Sequence, residues 1–275
     1  MDQEQYIKGM LDRTSMFMDD ESMEKIKNTI FAISGLGGVG AITAELLARW
    51  GVKKFRLLDM DRYDYSNLNR QLFATSETIG KFKVDVAEER IKKINPYAEI
   101  EVKIAERVTN SNVSRFVDGA GILIQNADYP SCKLFYIEAQ KRKIPLVNGY
   151  ATITGGRVQS FDYRVSPCIT PLEKIWNRLK YKNMKPLTQM SEDEIIEFDN
   201  ENVHSTSPSL NFVTNMVGCL IVSEAVKMIS GKGKCVLYPK YKEFDLFNNT
   251  MKQKSSASLL SFDKIEKLFL FLKKV

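Results

Sequence analysis

Residues 33–61 read ISGLGGVGAITAELLARWGVKKFRLLDMD, and four glycines, Gly35, Gly37, Gly38 and Gly40, stand between two apolar runs. TIFAIS (29–34) reads as a strand. AITAELLARWG sets Ile42, Leu46, Leu47 and Trp50 on one helical face and stops on a glycine, and KKFRLLDMD is too apolar at its centre to alternate. A strand buried on both faces has that composition. Bare glycines at the strand-to-helix turn leave backbone N–H groups and the helix amino terminus open to a phosphate. Asp59, at the end of the second strand, stands where a carboxylate can accept both hydroxyl hydrogens of a ribose. The turn alone does not separate NAD from ATP.

The alternation continues. Residues 19–28 predict a short amphipathic helix and 76–96 a longer one, with Val84, Ala87, Ile91 and Ile94 on one face and Pro96 at its end. EIEVKIA (99–105) and GILIQNA (121–127) read as strands, 131–143 as a helix and IPLVNGY (144–150) as a strand. This order predicts an α/β, Rossmann-like, doubly wound and mainly parallel sheet with helices on both faces. Past residue 150 the pattern changes. TGGRVQSFDYRVS alternates like antiparallel strands, PLEKIWNRL (171–179) suits a helix, and the polar segment 180–206 reads as a long connection, partly mobile. An apolar helix over 210–231, a strand over 235–249 and an amphipathic helix over 261–275 complete the chain. The expected division is a helical arm over 1–28, a nucleotide-binding unit over 29–165, and 166–275 as the rest of the same domain.

No apolar run reaches the ~18 residues that span a bilayer, and the amino terminus is too polar for a secretory signal, so a cytoplasmic protein is expected. A net charge of +6 with scattered basic residues argues only weakly for nucleic acid. Cys132, Cys168, Cys219 and Cys235 form no C-x-x-C pair, which argues against structural zinc, and Cys132, Cys219 and Cys235 are expected to be small core residues. The only histidine, His204, stands in a polar stretch and reads as solvated; Trp50 and Trp176 read as packing residues.

The residues after Asp59 separate the two nucleotides. DMDRYDYSNLNRQLF (59–73) places acids, an asparagine pair and an arginine just past the strand, where hydride transfer needs none of them, and IGKFK adds Lys81 and Lys83. A triphosphate of charge near –4 needs several cations, each worth ~4 kcal/mol at 4 Å with an effective dielectric of 20. Arg70 and Lys83 are the suppliers, and Asp128, in QNADYP at a strand's carboxyl end, can hold magnesium through the phosphates.

GLGGVG, LLDMDRYDYSNLNRQLF, IGKFKVDVAEERIKKINP and NADYP, in this order, resemble the successive motifs of the ThiF/MoeB superfamily, and 210–231 resembles its late helix. These are the adenylyltransferases of molybdopterin and thiamin biosynthesis, related to the ubiquitin-activating enzymes. The resemblance implies ATP and magnesium as cofactors, with Gly38 under the phosphates in the turn of Gly35, Gly37 and Gly40, and Asp59 on the ribose with Asp61 beside it. Ser66, Asn67, Asn69, Arg70 and Lys83 would line the triphosphate, and Asp128, with Tyr129 next to it, would hold the metal. Arg13 would reach the ATP of the neighbouring subunit in a homodimer, which makes Arg70, Lys83, Asp128 and Arg13 the catalytic set.

The implied reaction is attack of a carboxylate on the α-phosphorus, giving an acyl-adenylate and pyrophosphate. The implied partner is the carboxyl terminus of a peptide or ubiquitin-like protein. Two departures matter: the zinc-binding cysteine pairs are absent, and no cysteine lies in 180–206, where thioester-forming relatives often carry one. Together with NADYP, they resemble the branch that activates short peptides; the enzymes that dehydrate a threonylcarbamoyl group on tRNA are comparably close. A docking pseudo-enzyme and an NAD-dependent oxidoreductase are the other readings, and the charges of Asp59, Arg70, Lys83 and Asp128 speak against the former.

Overall fold

The computed structural model describes residues 2–170, 173–174, 185–202 and 208–256. Its eight strands are β1 (Ile30–Ser34), β2 (Lys54–Leu58), β3 (Glu99–Ile104), β4 (Ile122–Gln125), β5 (Leu146–Ala151), β6 (Gly155–Phe161), β7 (Lys240–Asp245) and β8 (Thr250–Ser255). They form one sheet in the order β3-β2-β1-β4-β5-β6-β7-β8. The pairs from β3 to β5 are parallel and those from β5 to β8 antiparallel. From β1 the chain winds outward through β2 and β3, then crosses to β4 on the other side of β1. The gap between the carboxyl ends of β1 and β4 is therefore the switch point at which open α/β sheets bind ligands. Ser34 is level with both Leu58 and Gln125, so three strands end together there.

Two helical layers cover the sheet. Helices α3 (Asp20–Asn28), α4 (Gly38–Arg49), α5 (Lys83–Ile94) and α9 (Asn211–Ser230) pack on one face through residues such as Ile26, Leu47, Val84 and Val217. Helices α6 (Asn110–Val117), α7 (Lys133–Arg142) and α8 (Glu192–Asn202) cover the other through Phe116, Phe135 and Ile195. The amino-terminal arm holds two further helices, α1 (Gln3–Met10) and α2 (Asp12–Ser15).

The structure departs from the sequence reading in six places. The helix expected over 76–96 starts only at Lys83, because 76–82 folds back on the loop after β2: Tyr63 and Gly80 exchange backbone bonds with Lys81 and Tyr63 at 3.0 and 2.8 Å. Helix α6, eight residues long with Val113, Phe116 and Val117 buried on one face, is absent from the sequence reading. Residues 154–166 hold one strand, and 235–249 holds β7, whose partner β8 follows a tight turn. The segment 180–206, expected to be a connection, carries α8 in its described part. Cys219 is exposed and Cys235 half-buried, against an expected core role, whereas Cys132 is buried. Finally, Asn211–Ser230 is long and apolar enough, by length and composition, to cross a membrane, contrary to the reading that no run suffices; half of it is buried between the sheet and α4. His204, Trp176 and the helix over 261–275 lie outside the described residues.

Candidate active site

The four glycines do different work. Gly35 has φ +79°, and a Cβ there would lie 2.7 Å from the backbone of Asn126 and Ala127. A Cβ on Gly40 would lie 1.8 Å from the Gly35 carbonyl oxygen. These two let the turn close on itself and on the end of β4. Gly38 lets Thr214 of α9 approach, 3.1 Å from where its Cβ would be, whereas at Gly37 the nearest atom is the Gln71 amide at 3.7 Å. Gly37 caps α4 with no side-chain hydrogen bond, so the positive end of the helix faces the switch point uncapped.

Asp59 splints this turn to β2. Its Oδ2 accepts the Leu36 N–H at 2.6 Å and its Oδ1 the Asp61 N–H at 2.8 Å. Burial pushes its pKa above the usual carboxylate range, opposed by the charge of Lys83 and by those amide bonds. Lys83, the first residue of α5, is itself buried, and its ammonium pairs with Asp61 at 2.8 Å. The sequence reading made both residues nucleotide contacts; the structure adds that they hold each other.

The loop after β2 is shaped by its own side chains. Asn67 is buried and accepts the Asp64 N–H at 3.2 Å while donating to Ser66 Oγ at 3.3 Å, so it builds the loop and leaves Ser66 exposed. Asn69 donates to the Ser209 carbonyl at 3.1 Å. Arg70 uses one terminal nitrogen to reach the Ser66 carbonyl at 2.8 Å and Asn69 Oδ1 at 3.0 Å. Its other guanidinium nitrogens have no partner among the described residues. Asp128 is exposed just past β4. Tyr129 lies under the Arg107 guanidinium, 4.5 Å from ring centre to Cζ. Its phenol is pushed up by burial first and then by the negative charge of Asp61.

Arg13 is not brought to this cluster. Leu11 packs where α4 ends, 3.2 Å from the Cβ position of Gly51. The 12-residue α4 spans about 18 Å at 1.5 Å per residue. That length separates Arg13 from the glycine turn of its own chain.

Two residues that the sequence did not single out flank the turn. Both amide atoms of Asn126 and the Gln71 Oε1 are buried without a hydrogen-bond partner among the described residues. A buried polar group left unpaired costs about 1–3 kcal/mol. A ligand at the turn would supply the missing bonds. Asn126 and Gln71 stand in the quoted motifs, but only the fold puts their amides against the turn. A nucleotide with donors and acceptors of its own fits this cradle. For a metal the fit is narrower: among the described residues no group of three or more acidic, histidine or cysteine side chains could hold one. Magnesium, which binds through one or two carboxylates and substrate phosphates, is compatible with Asp128 as its protein ligand.

Residues 11–259 match the ThiF family, and the chain belongs to that family. It is 38% identical over 138 residues to the tRNA threonylcarbamoyladenosine dehydratase of Bacillus subtilis (strain 168), which covers 50% of this chain and 54% of that protein. Over 242 residues it is 24% identical to the molybdopterin-synthase adenylyltransferase of Escherichia coli (strain K12), covering 84% of this chain and 88% of that one. Among solved structures, PaaA superposes with a TM-score of 0.67 at 19% identity, over 92% of this chain and 72% of that chain. E. coli MccB with ATP gives 0.64 at 19%, over 88% and 67%. These structural likenesses establish the α/β fold.

Proposed function

We propose that this protein is an ATP-dependent adenylyltransferase that activates a carboxylate, at the end of a peptide or of a ubiquitin-like protein, as an acyl-adenylate. The observation that carries the reading is the set of groups that lack partners around the glycine turn: the uncapped end of α4, the Asn126 amide and Gln71 Oε1. Asp59, already fixed by two backbone amides, orients the ribose. The amides from Gly37 to Gly40 lie under the phosphates. Arg70 brings its unpaired N–H groups to the charge that develops as pyrophosphate leaves, and Lys83, steadied by Asp61, adds a second cation. Magnesium, when bound through Asp128 and the phosphates, supplies further charge neutralisation. No side chain becomes covalent; orientation and electrostatics carry the step. Because α4 separates Arg13 from its own site, a catalytic role for Arg13 requires a homodimer in which it serves the partner's nucleotide.

The relatives' names support the ATP half of this reading and divide over the acceptor. E. coli MccB is solved with AMPCPP and MccA, and another relative is a ubiquitin-like modifier-activating enzyme, which supports a polypeptide acceptor. The 38% identity to a tRNA dehydratase favours a second reading, modification of a threonylcarbamoyl group on tRNA through the same ATP site. Exchange of labelled pyrophosphate into ATP decides between them. Stimulation by a peptide or by a ubiquitin-like protein with a free carboxyl terminus supports the first reading. Stimulation by tRNA alone, with salt-dependent retention, supports the second. Exchange with none of them counts against both.

A further inference from the structure

Helix α8 is polar along most of its length, and only Ile195 and Asp199 are buried. A carboxylate with no exposed surface needs partners for its charge and its lone pairs. Asp199 finds them on two elements. It accepts the Ser131 N–H and the Ser131 hydroxyl, both at 2.7 Å, and it pairs with Arg107, whose guanidinium lies over the Tyr129 ring. Ser131 follows directly on Asp128, Tyr129 and Pro130. Beside this contact, Asn110 donates to the carbonyls of Leu187 and Met190 at 2.8 and 3.0 Å, and the Ser111 hydroxyl to Glu192 at 2.6 Å. This crossover segment (185–202), whose Asp199 lies 68 residues further along the chain than Ser131, is thus fastened to the loop that carries the acid next to the nucleotide site.

We infer that Asp199 is a positioning residue that couples the crossover segment to the nucleotide site: α8 must be seated for the 126–131 loop to present Asp128 and Tyr129. The inference rests on the adenylyltransferase reading. An ionised carboxylate suits the position, because it accepts twice from Ser131 and neutralises Arg107 at once. An asparagine of the same shape would keep one acceptor and turn an N–H toward another donor. A pin that served folding alone could be apolar, since a buried ion pair gives stability no advantage over well-packed hydrophobic groups.

The test is hydrogen exchange on the full chain with and without ATP–Mg, together with ATP kinetics, for wild type and Asp199→Asn. In wild type, ATP–Mg is expected to slow amide exchange in the glycine turn, in 126–132 and in 192–202. In Asp199→Asn the slowing persists in the turn and disappears from 192–202. KM for ATP then rises about ten-fold or more, as it does when a supporting hydrogen bond to a bound group is lost, with kcat changing less. If Asp199→Asn lowers stability too far, Asn110→Ala loosens the 187–190 turn that leads into α8 without touching Asp199 and is expected to give the same pattern. Slowing confined to the turn in wild type, or an unchanged KM in both variants, overturns the coupling and leaves the reading of the ATP site standing. No slowing in the turn overturns that reading and the inference with it.

Discussion

Arg70→Ala is expected to lower ATP–pyrophosphate exchange by about 10²- to 10³-fold, the usual effect of removing one preorganised electrostatic donor. Arg70 is held by the Ser66 carbonyl and the Asn69 side chain, so the guanidinium waits in one orientation before any phosphate arrives. Preorganisation is what makes the loss large, because a free arginine would have to be ordered during the reaction. Both bonds lie at the surface, and their removal is expected to change folding stability by no more than about 1 kcal/mol. The check is to measure exchange rate and melting temperature on the same preparation. A rate within a few-fold of wild type would remove Arg70 from the reaction, and a large drop in melting temperature would make the rate uninformative.

Gly40→Ala is expected to have the largest effect on folding, a loss of about 3 kcal/mol or more, above the usual range for overpacking. The added methyl carbon would lie 1.8 Å from a backbone oxygen, and backbone can yield only if the turn itself opens. Gly37→Ala gives the contrast. Its methyl carbon would meet only the Gln71 amide, at 3.7 Å, so the fold is expected to lose less than about 1 kcal/mol. The same methyl would stand where the helix end faces the ligand, so ATP binding is expected to weaken sharply. Denaturant unfolding of both variants, with ATP titrations on Gly37→Ala, separates the two roles. Equal stability losses would mean that the four glycines act as one steric unit.

The parallel half of the sheet was legible because most of its strands are short apolar runs, as in 29–34 and 121–127, set between helices such as the one that stops at Gly51. The place of the glycine turn, between β1 and α4, and of Asp59, just past β2, was legible because both follow from the order of elements along the chain. What stayed hidden depends on contacts between distant segments. Helix α8 buries only Ile195 and Asp199, so its sequence carries no stripe and reads as a connection. The Lys83–Asp61 pair joins two residues that were both read as nucleotide contacts, and local sequence cannot tell a pair from two free charges. Asn126 and Gln71 are ordinary amides until the fold buries them without partners. Arg107 and Asp199 are 92 residues apart, and nothing in either neighbourhood names the other.

The central claim is that the turn between β1 and α4 takes a nucleoside triphosphate. Titration of the full chain with ATP–Mg and, separately, with NAD, read by calorimetry, tests it most directly. Saturable binding of ATP is expected, weakened when magnesium is withheld or Arg70 is replaced, with little or no binding of NAD. Tight binding of NAD with no response to ATP–Mg would contradict it.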